Sequence, residues 1–175
     1  LIENFIEPYH VQFVHKTTTN QPLKDHYTIV DGICYGSGVD VKQEDNKNSS
    51  ALSVTSRYLS LFPNFIIGTY FPNQIGVYLN VPISPGVTSQ KRIIYTTDGK
   101  DMSKEESDIV KKIWWSVHKE DHEMCERLQE GRLSPASNQG GLLSPYWEKG
   151  VQKFQKLIMQ ATMNSSKTMK RKKNV

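Results

Sequence analysis

The sequence predicts an α+β domain in which a curved antiparallel sheet grips one long helix and a second helix closes the chain. Three observations predict it. Between Tyr27 and Thr97 the chain divides into short β-rich runs separated by turn residues. After Ser103, apolar side chains recur at steps of three and four as far as Gln129. After Ser144-Pro145 the same helical periodicity returns.

At the start, Ile2, Phe5, Ile6, Tyr9 and Phe13 form a helical stripe. They predict one short helix, with Pro8 early enough that its missing N–H costs little. Tyr27–Val41 and Leu52–Thr97 then carry the strands. Phe65–Phe71, Val77–Val81 and Ile93–Tyr95 are divided by Pro72-Asn73-Gln74 and Ser84-Pro85-Gly86, the pattern of an antiparallel meander. Gln43–Ser50 is polar and Asn-rich and reads as an exposed loop.

Ser103 and Glu106 have the spacing of a capping box and open a helix from Lys104 to Gln129. Ile109, Ile113, Val117, Met124 and Leu128 mark its apolar face, with Val110, Trp114 and Cys125 beside them. Ser144-Pro145 supplies a cap residue followed by proline at the first helical position. It predicts a last helix from Pro145 to Met163 that buries Trp147, Val151, Phe154, Ile158 and Ala161. Residues 1–163 read as one domain and 164–175 as a frayed, disordered basic tail.

Composition removes several function classes. At 175 residues one domain is the default. No run approaches the ~18 apolar residues of a membrane span. The formal charge of +4 equals the four charges of Lys170, Arg171, Lys172 and Lys173, so the body is neutral and no nucleic-acid partner is expected. Two cysteines and no apolar leader point to the cytoplasm. The opening Leu1-Ile2-Glu3-Asn4-Phe5 reads as the inside of an element, as in a fragment or processed chain.

Asp121 carries the strongest chemical signal. It lies four residues after Val117 and three or four before Met124 and Cys125, a carboxylate inside an apolar stripe. Such a group must be paired, hydrogen-bonded, protonated or bound to a metal, and a buried ion pair remains an alternative. His10 and His15 are the second signal. Five residues turn a helix by roughly 140°, so both rings reach one ion only if the helix ends or bends near Phe13. Two imidazoles and a carboxylate make the facial triad that holds Fe(II) with coordination positions open, and they also suit zinc. His118, three residues before Asp121, is an alternative ligand, whereas His26 reads as incidental. Trp114, Tyr70, Tyr78 and Tyr95 either line a pocket, where they could cage a cation, or fill the core.

The frame Asn4-Phe5-Ile6-Glu7-Pro8-Tyr9-His10, then His15, resembles the ligand motif of Rieske oxygenase catalytic domains. Glu120 to Gly131 is similar to the segment that supplies that family's third ligand. The likeness continues through Leu61-Phe62-Pro63-Asn64, Val81-Pro82-Ile83-Ser84-Pro85 and Leu143 to Glu148 with Phe154, nearly the whole chain. It implies the helix-grip, START-like architecture and Fe(II) held by His10, His15 and Asp121. It also implies Fe(II)- and O2-dependent mono- or dioxygenation of a small organic substrate, with oxidative N-demethylation among the outcomes.

In the family an acidic residue at the position of Glu7 bridges to a histidine at a neighbouring subunit's Rieske cluster, which makes Glu7 a second catalytic candidate beside Asp121. Many members of this aromatic-ring-hydroxylating family carry Asp there, whereas Glu is found in the branch acting on quaternary ammonium compounds such as carnitine, betaine and choline. The likeness implies a homotrimer served by a Rieske domain and a reductase. A Rieske [2Fe–2S] cluster needs two Cys and two His, as Cys-x-His and Cys-x-x-His in this family. Cys34 is followed by Gly36 and Ser37, and Cys125 by Arg127 and Leu128. The cluster must come from another segment or chain, and the chain alone is expected to be inactive. Two rivals stand beside this reading: a non-enzymatic ligand-binding module on the same START-like scaffold, and a zinc hydrolase.

Overall fold

The β-rich runs form a single six-stranded sheet of β1 (His26–Asp31), β2 (Cys34–Val39), β3 (Ser56–Leu61), β4 (Phe65–Tyr70), β5 (Gln74–Ser84) and β6 (Val87–Thr96). This is a computed structural model; it describes residues 1–16, 18–19, 21–40, 55–70 and 73–173, with side chains as far as 164. The strands lie in sequence order and each pairs antiparallel with the next, the expected meander. Gly86 closes the β5–β6 turn at φ +81°, a conformation that favours glycine. The loop expected over 43–50 lies outside the described residues, and the tail expected to fray from residue 164 instead continues the last helix as far as Lys173.

Among the described residues four α-helices accompany the sheet: α1 (Ile2–Ile6), α2 (Val11–Val14), α3 (Lys104–Arg132) and α4 (Lys149–Lys173). The single N-terminal helix is thus two: α2 ends at Val14, beside Phe13 as expected, and an additional break falls at Glu7–His10. Proline explains it. The residue before a proline is driven out of the helical region, and Glu7 sits at φ -107°, ψ 139°. Tyr9 and Phe13 consequently leave the buried stripe and are exposed.

Ser103 caps α3 as expected: its Oγ accepts from Glu106 N while Glu106 Oε2 accepts from Ser103 N. The inward stripe of this helix is Val110, Trp114, Val117 and Asp121, of which Trp114 and Val117 are buried, one step round from the expected Ile109 and Ile113, which are exposed. Trp114 decides the rotation. Its ring packs 4.3 Å from that of Tyr70, and its Nε1 donates to Gln74 Oε1 at 3.1 Å. Burying an indole with its N–H satisfied outweighs burying an isoleucine.

α4 starts later than Pro145 because Ser144 and Glu148 close a turn of their own. Ser144 Oγ accepts from the N–H of Tyr146 and of Trp147, and Glu148 Oε2 accepts from Ser144 N. Val151 is the fully buried residue of its inner face, in a cluster with Ile6 and Tyr35 that Phe154 also joins; Ile158 and Ala161 are exposed. No helix among the described residues is long and apolar enough to cross a membrane.

α1 is held between the two long helices. Glu3 accepts from Arg132 at the end of α3 and from Gln155 of α4. That anchoring fixes where the chain leaves α1, and so where His10 and His15 arrive.

Candidate metal centre

The break before Pro8 turns α2 into a bracket with a histidine at each end. His10 is its N-cap and His15 its C-cap, and both rings face Asp121 on α3. Oδ1 of Asp121 lies 3.5 Å from His10 Nε2 and 3.1 Å from His15 Nε2. One ligand atom from each of the three residues falls within 4.8 Å of the others. The structure brings together all three residues that the sequence nominated.

Each donor is oriented by a partner. His10 Nδ1 donates to Glu7 Oε1 at 2.6 Å, and His15 Nδ1 donates to Glu120 Oε2 at 2.7 Å. Asn4 Nδ2 donates to Asp121 Oδ1 at 2.9 Å, and Thr18 Oγ1 donates to Glu120 Oε2 at 2.6 Å. An ionised carboxylate has no hydrogen to give, so each Nδ1 carries the proton. A neutral ring then presents the lone pair of Nε2 toward Asp121. Lone pairs and a negative charge converging on one point repel unless a cation or protons stand between them.

Protonation of the His15 ring answers that repulsion in the protein without metal. Burial opposes a charge on His15, yet the carboxylates of Asp121 and Glu120 outweigh it and raise its pKa. Burial likewise pushes Asp121 up, but His15, His10 and Asn4 prevail and hold its carboxyl below the usual value. The donor set therefore fits a divalent cation that prefers two imidazoles and a carboxylate. It also has the carboxylate-backed imidazoles that metal-ligating histidines ordinarily show.

Glu7 points inward at its own His10. Its second oxygen accepts from the N–H of Tyr9 and of His10, at 3.2 Å for the latter, and the side chain is 13% exposed. His118 does not join the ligand set: its Nε2 accepts from Arg92 Nη1. His122 is exposed and pairs with Glu126. His26, which reads as incidental in the sequence, is buried and lines the site, and burial pushes its pKa down to about 4.

The three ligand candidates form one end of a cavity of about 60 Å³, walled further on by Phe5, Tyr58, Tyr70, Tyr78 and Trp114. That is room for a few waters or a small organic group. Gly68 and Gly76 are neighbours in the β4–β5 register; a side chain at Gly68 would press on the ring of Tyr70, and one at Gly76 on the rings of Tyr78 and Tyr70. Their absence of Cβ lets those two phenols lie flat against the sheet, hydroxyl to hydroxyl at 2.9 Å. Tyr95, also nominated for the pocket, is half exposed and faces an outer groove of about 890 Å³ that shares Arg92, Trp114 and His118 with the inner cavity.

Residues 1–163 match the family model of the ring-hydroxylating alpha subunit catalytic domain. The chain belongs to this family. As a ring-hydroxylating alpha-subunit catalytic domain it is 27% identical, over 156 residues, to choline monooxygenase, chloroplastic, of Atriplex hortensis. The match covers 87% of this chain and 34% of that protein. Among solved structures it resembles the quaternary ammonium Rieske monooxygenase CntA in complex with an inhibitor, at TM-score 0.69 and 14% identity, covering 91% of this chain and 44% of the other. A second structure, of a quaternary ammonium Rieske monooxygenase described as giving insight into carnitine oxidation by gut microbiota and inter-subunit electron transfer, gives a TM-score of 0.66 at 16% identity, covering 91% and 45%. The expected helix-grip fold is therefore the observed one. The chain spans about a third of the curated relative and less than half of the solved chains.

Sequence reasoning on this ring-hydroxylating domain missed Asn4, Thr18, Glu120 and Arg92. Glu120 stands next to Asp121 and so carries no periodic signal. Asn4 and Thr18 are polar residues of ordinary type. Only the approach of separate elements gives them roles.

Proposed function

We propose that residues 1–163 form the mononuclear iron catalytic domain of a Rieske-type oxygenase, with His10, His15 and Asp121 as the Fe(II) ligands. The observation that carries this reading is the convergence of the three donors within 4.8 Å, with each imidazole backed by its own carboxylate. Family membership supports it. When bound, the iron supplies activation of O2 for insertion into a C–H or aromatic bond.

The residues of this chain prepare that chemistry. Glu7 and Glu120 hold both rings in the tautomer whose Nε2 is free to ligate. Asn4 keeps the Asp121 carboxylate turned toward them. Phe5, Tyr58, Tyr70, Tyr78 and Trp114 wall the cavity where a small organic substrate lies beside the ligands and away from bulk water.

Electrons come from a Rieske [2Fe–2S] cluster on another segment or chain, since neither cysteine here stands in a cluster motif; a reductase and a trimeric assembly belong to the same reading. Glu7, hydrogen-bonded to His10, is the residue this reading assigns to relaying them. Small quaternary ammonium compounds are the preferred substrate class, on the likeness to choline monooxygenase and CntA and on Glu7 itself. Cytoplasmic location rests on the two thiols, Cys34 and Cys125, both free.

The test is anaerobic loading with Fe(II) followed by metal analysis, then O2 consumption with a Rieske donor added. One iron per chain, lost in His10→Ala, His15→Ala and Asp121→Ala, is the expected result. A protein that takes up no iron is a ligand-binding module. One that holds zinc and hydrolyses without consuming O2 is the zinc hydrolase.

A further inference from the structure

Arg92 projects from β6 onto the face of the sheet that lines the cavity. Its guanidinium carbon lies 4.5 Å from the ring centre of Tyr78 and 4.4 Å from that of Trp114. Nη1 donates to His118 Nε2. Nε and Nη2 are buried with no hydrogen-bond partner among the described residues.

That arrangement is incomplete as it stands. A guanidinium does not give up its charge inside a protein, and a buried charge without a counter-ion is costly. His118 offers none: burial and then the neighbouring Arg92 charge hold its pKa down to about 4, so its ring is neutral. The two unpartnered nitrogens, Nε and Nη2, are adjacent and make one edge of the planar fork. This edge matches the two oxygens of a carboxylate.

We infer that Arg92 is the recognition group for a carboxylate carried by the molecule that occupies this cavity. Calling that molecule the substrate rests on the oxygenase reading above. The consequence for substrate class is specific. The ring faces of Tyr78 and Trp114 that could cage an ammonium group are covered by the guanidinium itself. A purely cationic substrate would meet a fixed positive charge there. A zwitterion places its own carboxylate on Arg92 and leaves its alkyl-ammonium end for the iron ligands. Amino-acid betaines fit this description and choline does not.

The experiment uses the full chain and a matched pair of probes, γ-butyrobetaine and its methyl ester, which differ in one negative charge. Each is titrated calorimetrically at pH 7 into the iron-loaded protein under nitrogen and into metal-free protein, so that carboxylate ligation of the iron is separated from binding to Arg92. The acid should bind more tightly than the ester by on the order of tenfold or more in both forms, as for hydrogen bonds to a charged group. Arg92→Gln should erase that ratio, and Arg92→Lys should keep part of it.

Equal binding of acid and ester by the wild-type protein, or binding of neither, overturns the inference without any variant having to fold. So does an unchanged ratio in folded Arg92→Gln. Iron content is read on the same samples. Acid preference in a protein that takes up no iron leaves the role of Arg92 standing and removes the oxygenase reading; iron uptake with no preference does the reverse.

Discussion

Glu120 and Asp121, consecutive on α3, grip the same imidazole: His15 donates from Nδ1 to Glu120 at 2.7 Å and turns Nε2 to Asp121 at 3.1 Å. Neighbours on a helix diverge by about 100°, so this is possible only because the ring lies in the angle between them. Removing Glu120 frees the ring to rotate and to take the other tautomer. Glu120→Ala should weaken Fe(II) binding by about 10–100-fold, the usual cost of losing such an outer partner. Glu120→Gln keeps an acceptor and should lose less. Competition for the metal against a chelator of known affinity measures both, and equal affinities would show that Glu120 supports only the fold.

Asp121→Ala should abolish iron binding. The structure adds that its carboxylate is partnered even without metal, by Asn4 and His15. The metal-free variant should therefore be less stable by about 1–3 kcal/mol near pH 6, because buried donors lose their acceptor. Denaturant melts of metal-free protein measure this, and an unchanged midpoint would contradict it.

Glu7→Gln separates orientation from electron relay. Glutamine retains an oxygen that can accept from His10 Nδ1, so iron content should stay near wild type. If the carboxylate relays electrons, substrate oxidation driven by a Rieske partner should fall by at least about tenfold, as expected when a relay group is lost from an otherwise intact site. Hydrogen peroxide supplied directly should restore part of the product. Iron lost in proportion to activity would assign Glu7 to holding His10 alone.

Acid should destabilise the protein through His26. Its folded-state pKa is lowered from 6.5 to about 4, so between those values the unfolded chain binds a proton that the folded chain refuses. Stability is full above pH 6.5 and falls as pH drops toward 4, by at most about 3 kcal/mol for this group. His26→Leu cannot titrate and should flatten that slope, read as the unfolding midpoint against pH. A slope unchanged in the variant would place the acid sensitivity elsewhere.

The sequence by itself determined the local grammar of this protein. Ser103 and Glu106 cap a helix wherever it packs, because their bonds close within one turn. Turn residues between β-rich runs lead to a meander because each strand needs only its neighbour. Asp121 was legible as a candidate ligand for a related reason: a carboxylate on an apolar stripe conflicts with burial unless something pairs with it. Tertiary structure decided the remainder. Which face of α3 turned inward depended on Trp114 meeting Tyr70 across the sheet, and periodicity alone could not separate it from the face of Ile113. The break at Glu7–Pro8 became a two-histidine bracket only because Glu3 pins α1 between α3 and α4. Glu120 and Arg92 look like ordinary charged residues in the sequence. Their roles depend on which distant groups come within a few ångströms, and that is set by the packing of the folded chain.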